Sequence, residues 1–236
     1  MENNYSGVLA RPLNEYIDHT LLSPSAGPDD IIRLCEEAAR YHFASVCVNP
    51  CYVPLAADRL RGTGVKVCTV VGFPLGQSEP RIKVEEAEYA LERGALEIDM
   101  VMNVGMFKAG AAEFHANEVR AIAEEVHKHE GAILKVILET CLLTPEQIAD
   151  ASVISGKAGA DFVKTSTGFS TGGATVEAVR TMAEALASAG LSTGIKASGG
   201  IRTLGTALAM IEAGADRLGA SAGAAIMAEA EKEGLA

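Results

Sequence analysis

Three lysines and one aspartate stand at the ends of short apolar runs: Asp99 in EIDMVMN, Lys135 in ILKVILE, Lys164 in DFVKTST and Lys196 in GIKASGG. Desolvating an ammonium is costly, so a lysine inside such a run needs a carboxylate partner or a task. Side chains alternate along a strand, so residues two apart share a face. That period groups Glu97, Asp99, Val101 and Asn103 against Ile98, Met100 and Met102. It also sets Lys164 with Ser166, Lys196 with Ser198, Lys135 with Glu139, and Cys47 with Ser45 and Asn49. On adjacent strands at one height, Lys164 and Lys196 lie about 5 Å apart. One of the two then loses basicity, and a neutral lysine attacks carbonyl carbon to form a Schiff base, an electron sink. Asp99 beside it suits proton relay to the carbon and to the carbinolamine oxygen. Spacing does not choose between the two lysines as nucleophile, and a filled ion pair is the bland alternative.

Three glycine-bearing stretches follow late in the chain: TGFSTGG at 167–173, SGGIR at 198–202 and GASAGA at 219–224. Gly199 and Gly200 let backbone N–H groups approach an anion, Ser221 opens the last helix where its dipole favours negative charge, and Arg202 adds a fixed cation. Loops of this kind at one end of a barrel build phosphate sites. Together with the lysine pair they point to a Schiff-base aldolase of sugar phosphates that requires no metal and no cofactor.

The elements that position these groups show a repeating order of helix, glycine and apolar run. It recurs in LRGTGVKVCTVVGF, LERGALEIDMVMN, HEGAILKVILE, KAGADFVKTST, ASAGLSTGIKASGG and EAGADRLGAS. Glycine closes a helix in the left-handed region, and a strand follows. YIDHTLL at 16–22 and ASVCVNP at 44–50 bring the strand count to eight, and amphipathic segments such as Asp29–Tyr41 and Pro80–Arg93 lie between strands. Thr144-Pro-Glu-Gln147 has capping-box spacing with proline at the first helical position. Eight strand–helix units in 236 residues predict a single-domain (β/α)8 barrel with a short N-terminal extension at about 1–12. A doubly wound open sheet is the structural runner-up, disfavoured because no strand is followed by G-x-G-x-x-G.

A formal charge of -11 and a pI near 5.0 argue against nucleic-acid or anionic-membrane partners. MENNYSGVLA has neither a basic nor an apolar leader region, and no run of about 18 apolar residues occurs, so a soluble cytoplasmic protein is expected. The five cysteines form no C-x-x-C pair and read as buried free thiols. His115, His127 and His129 fall on a charged helical stretch and read as solvated surface, whereas His19 reads as a packing residue behind the barrel. Glu97 reads as marking a strand start more than as a lysine's partner.

In order along the chain, IDHTLL, VCVNP, VGFPLG, EIDMVMN, KVILETCLLT, FVKTSTGF and KASGGIRT resemble the deoxyribose-phosphate aldolase family, from about Ile17 to Ile226. The resemblance implies a (β/α)8 fold and reversible cleavage of 2-deoxy-D-ribose 5-phosphate to D-glyceraldehyde 3-phosphate and acetaldehyde by a class I, metal-free mechanism. It assigns the Schiff base to Lys164, the tuning of that lysine to Lys196, and proton transfer through water to Asp99. Gly168, Gly199, Gly200, Arg202, Gly219 and Ser221 match its phosphate-binding positions. Asp18, Thr20 and Cys47 match pocket-lining positions, Cys47 as a liability toward aldehydes, and Lys135 joins the charge network. Three departures stand out. Phe169 and Ala222 replace a lysine and a serine found in some members, which shifts phosphate binding toward backbone N–H groups. The chain also carries no late tyrosine before EKEGLA, so no tail-assisted proton transfer is expected. A related aldolase of another sugar or keto-acid phosphate and a barrel that only binds sugar phosphate are the alternatives. A homodimer or homotetramer is the expected assembly.

Overall fold

The structure is a computed structural model that describes residues 7–235. The N-terminal extension expected at about 1–12 therefore lies partly outside the described residues; a 3-10 turn, Leu13–Tyr16, leads into the first strand. Eight parallel strands close in sequence order: β1 Ile17–Leu21, β2 Ser45–Val48, β3 Lys66–Val71, β4 Glu97–Val101, β5 Ile133–Ile137, β6 Phe162–Lys164, β7 Gly194–Ser198 and β8 Arg217–Ala220. β8 pairs back onto β1. Helices α1 Pro28–Tyr41, α2 Val53–Arg59, α3 Pro80–Glu92, α4 Val104–Lys108, α5 Ala112–Val126, α6 Pro145–Lys157, α7 Val176–Ser188, α8 Leu204–Glu212 and α9 Gly223–Glu233 surround it. The (β/α)8 expectation holds, and the runner-up open sheet does not.

Local chemistry explains the alternation. The glycine before each of β3 to β8 takes a positive φ, from 68° at Gly190 to 113° at Gly214. Before β2, which lacks such a glycine, His42 takes the left-handed conformation at the C-terminus of α1. On the far side, threonines start the helices: Thr144 closes a capping box with Gln147, and Thr175 and Thr203 cap α7 and α8. These caps hold the loops at the C-terminal ends of the strands, where the candidate site lies.

Outward residues of the strands, among them Ile98, Met100, Val136, Val163 and Ala197, are fully buried in the layer between sheet and helices. The barrel interior differs from the apolar layers usual for this fold. Its buried residues include Asp18, Glu97, Asp99, Lys135, Lys164 and Lys196, with a small apolar patch of Leu22, Cys47, Cys68 and Val70 beside them.

Two expectations are corrected. His115 is not solvated surface; it is buried between α5 and α6, where its Nε2 lies 2.9 Å from Ser155 Oγ and its ring stands edge-on to Phe107. Its sequence neighbours are charged, but α5 turns this one position inward. Of the five free thiols, Cys35, Cys47 and Cys68 are buried, whereas Cys51 and Cys141 are exposed, each on a 3-10 turn that follows a strand, Pro50–Tyr52 after β2 and Thr140–Leu142 after β5.

Candidate active site

The strand register brings the lysines together. Lys164 on β6 pairs with Lys196 on β7, and Asp99 on β4 pairs with Lys135 on β5. Asp99 is the hub of the group. Its Oδ2 accepts from Lys164 Nζ and Lys196 Nζ, each at 2.7 Å, and its Oδ1 accepts from Lys135 Nζ at 2.9 Å. Lys196 also contacts Asp18 Oδ2 at 2.6 Å. Burial alone raises a carboxyl, yet Lys135, Lys164 and Lys196 together hold Asp99 well below the usual carboxylate range. Burial likewise disfavours the Lys196 ammonium, but Asp18 and Asp99 overcome it and push its pKa upward. Lys135 is raised in the same way by Asp99, Cys68 and Glu97 against burial.

A cavity of about 400 Å³ opens over this floor at the C-terminal end of the barrel. Of the two paired lysines, Lys164 lines it, and Thr20, Gly168, Gly199, Gly200, Arg202, Gly219 and Ser221 line it as well. Eight predicted positions thus share one space. Asp18, Cys47, Asp99, Lys135 and Lys196 lie below them, fully buried inside the barrel. Gly219 has a second role beyond anion approach, because a Cβ there would meet Lys196 Cε at 3.1 Å and Ser198 Cβ at 2.8 Å. Gly168, Gly199 and Gly200 have φ of 84°, 89° and 84°, which turns successive backbone amides along the loops. Ser221 sits just before Ala222, which opens α9.

The sequence reading missed two residues here. Glu97 does not merely mark a strand start: its Oε2 lies 2.6 Å from Lys135 Nζ. Arg217, unremarked at the start of β8, donates to Glu97 Oε1 and Oε2 at 3.0 and 2.9 Å, and its Nε donates to Asp18 Oδ1 at 2.9 Å. Burial works against its charge, but Asp18 and Glu97 raise its pKa. The available signal was its period-two relation to Gly219, which turns it inward.

Above the floor, Glu139 adopts φ 56° and ψ 62° in the loop after β5. Its carboxylate accepts from the Thr167 amide at 3.2 Å and from the Thr167 hydroxyl. Thr165 Oγ1 donates to Ser198 O at 3.1 Å and accepts from Ser198 N at 3.0 Å, so the loops after β5, β6 and β7 are tied in series. Metal ligation is disfavoured at the one cluster of suitable atoms among the described residues. Cys47, Cys68 and Asp99 bring theirs within 4.8 Å of one another, but three ammoniums already occupy Asp99 and oppose a further cation.

A family model for DeoC/LacD family aldolases matches residues 14–229. A deoxyribose-phosphate aldolase of Caldanaerobacter subterraneus is 54% identical over 219 residues, which span 93% of this chain and 94% of the relative. One of Streptococcus sanguinis is 52% identical over 222 residues, 94% of this chain and 98% of the relative. The tetrameric deoxyribose phosphate aldolase structure from Aeropyrum pernix superposes with a TM-score of 0.87 at 38% identity, covering 96% of this chain and 94% of that one. The chain belongs to the DeoC/LacD family of aldolases.

Proposed function

We propose that this protein is a deoxyribose-phosphate aldolase, cleaving 2-deoxy-D-ribose 5-phosphate reversibly to D-glyceraldehyde 3-phosphate and acetaldehyde with Lys164 as the imine-forming residue. One observation carries the reading. Lys164 lines the cavity beside the glycine loops, while Lys196 lies beneath it, clamped between Asp18 and Asp99. A lysine held by two carboxylates stays an ammonium, so the lone pair belongs to Lys164.

In the open-chain sugar the Lys164 Nζ lone pair adds to the C1 aldehyde, and the carbonyl oxygen takes a proton as the attacking nitrogen gives one up. The carbinolamine hydroxyl leaves as water with a second proton, and the protonated imine remains. Asp99 Oδ2, 2.7 Å from Lys164 Nζ and from Lys196 Nζ, is placed to pass these protons. Loss of the C3 hydroxyl proton sends the C2–C3 bonding pair into the imine, giving an enamine and releasing glyceraldehyde 3-phosphate. The enamine carbon then takes a proton, and water releases acetaldehyde and free Lys164. The phosphate sits among the amides around Gly168, Gly199, Gly200 and Ser221, with Arg202 at the rim.

Borohydride added with acetaldehyde should fix a reduced adduct on Lys164, mapped by peptide mass. An adduct confined to other lysines would refute the assignment. The protein works as a homodimer or homotetramer, supported by the tetrameric Aeropyrum pernix neighbour; light scattering on a sizing column reads the number directly. A cytoplasmic location fits the substrate, and among the described residues no helix is long and apolar enough to cross a membrane.

A further inference from the structure

The buried ion pairs of the barrel form a closed circuit. From Glu97 Oε2 it runs to Lys135 Nζ at 2.6 Å, and from there to Asp99 Oδ1 at 2.9 Å. Asp99 Oδ2 contacts Lys196 Nζ at 2.7 Å, and Lys196 contacts Asp18 Oδ2 at 2.6 Å. Asp18 Oδ1 accepts from Arg217 Nε at 2.9 Å, and Arg217 Nη2 returns to Glu97 Oε2 at 2.9 Å. The signs alternate around the circuit, so its formal charge is zero. Lys164 is attached from outside, by the 2.7 Å contact to the same Asp99 oxygen that Lys196 uses.

We propose that these six groups are a charge-balanced ring, that Lys164 is the one cation surplus to it, and that Arg217 and Glu97 are positioning residues controlling how readily Lys164 sheds its proton. This rests on Lys164 as the imine-forming lysine. Each ring cation touches two carboxylates, whereas Lys164 has a share in one. An uncompensated charge in a buried site is the expensive one, so neutralising Lys164 relieves the interior while neutralising any other cation breaks the alternation. Arg217 and Glu97 make no contact with Lys164; they act by fixing the charge count.

The other groups facing this interior do not alter the count in their neutral forms. From β2 and β3 come the thiols of Cys47 and Cys68, and Cys68 donates to Asp99 Oδ1 at 3.1 Å. From the loop after β5 comes Glu139, whose carboxylate is committed to Thr167 at the mouth. His19 and Glu37 pair with each other behind β1, and Lys83 and Glu118 pair outside the barrel.

The test follows the rate of cyanoborohydride trapping of acetaldehyde on Lys164 against pH. Arg217→Met leaves the ring one cation short, so Lys164 gains a full counter-charge. Its midpoint should rise by on the order of one pH unit, with trapping below the midpoint about tenfold slower. Glu97→Gln should move the midpoint down. The double variant Arg217→Met/Glu97→Gln restores the count and should return the midpoint toward wild type, an outcome that accumulated structural damage does not produce. Shifts in one common direction, no shift, or a double variant displaced further than either single would overturn the ring. If Arg217→Met does not fold, Glu97→Gln against Arg217→Lys carries the test. A downward shift in the first and none in the second supports the proposal, and equal movement sinks it. Repeating the series in a Cys47→Ser/Cys68→Ser background takes both buried thiols out of the count. Wild-type protein that traps nothing on Lys164 would instead overturn the functional reading, before any variant is compared.

Discussion

Glu139 and Thr167 lock together across the barrel mouth, the carboxylate from the loop after β5 closing on the amide and hydroxyl of a residue in the loop after β6. Glu139 holds a left-handed backbone conformation to do this, a strain on the order of 1–3 kcal/mol for a residue with a Cβ. Glu139→Ala frees the loop carrying Gly168 and Phe169. Hydrogen bonds to a charged group contribute about 1.5–3 kcal/mol, so kcat/KM should fall at least tenfold, chiefly through KM for the phosphorylated substrate. Steady-state kinetics on sugars with and without phosphate would separate this from general damage, which lowers both alike.

Lys83 and Glu118 are both fully buried outside the barrel, 2.6 Å apart. Lys83 also donates to Gly76 O and Val101 O, while Glu118 accepts from Asn103 N, so the pair fastens the loop after β3 to the end of β4. Burial drives both groups toward their neutral forms, lowering Lys83 and raising Glu118. Lys83→Met strands a buried carboxylate and should lower Tm by on the order of 10 °C. Adding Glu118→Leu should recover part of that loss in a thermal scan; an additive further loss would contradict the coupling.

How much of this was open to the sequence depended on the range of the interaction. The strand–glycine–helix order is local, and it yielded all eight strands and the inward turn of Asp99, Lys135, Lys164 and Lys196. Glu97 and Arg217 lie 120 residues apart and meet only when the barrel closes, so neither residue's neighbours in sequence reveal the pair. His115 was misread for a related reason. Charged residues crowd its stretch of sequence, and only the packing of α6 on α5 decides which position faces inward.

His115 also gives a sign for acid stability. Burial lowers its pKa from 6.5 to about 4, so the unfolded chain binds the proton more readily. No penalty exists above the unfolded pKa. As pH falls from about 6.5 toward 4, stability declines, by roughly 3 kcal/mol in full. His115→Gln, which can still reach Ser155, should flatten the Tm against pH curve over that window. An unchanged slope would place the acid sensitivity elsewhere.

Thiol reactivity should divide the cysteines two to three. Cys51 and Cys141 are exposed, whereas Cys35, Cys47 and Cys68 are buried, and burial pushes the Cys35 thiol up to about 11. A chromogenic disulfide reagent at mildly alkaline pH should titrate two thiols quickly in the native chain and all five after unfolding. Fast modification of Cys35 would contradict the packing of α1 on the barrel.

β6 is three residues long, and it presents Lys164 opposite Lys196 with Val163 turned to the helices. Side-chain direction in a strand flips with every position. Removing or adding a single residue between Gly159 and Phe162 would therefore point Lys164 into the outer apolar layer and bring Val163 or Thr165 to the pocket. Length changes in that short connection should be lethal to activity even where the chain still folds. Extra residues between Ser170 and Gly172, beyond the Glu139 clasp, should be far better tolerated, so a library of one-residue insertions would trace the catalytic register as a sharp boundary along the chain.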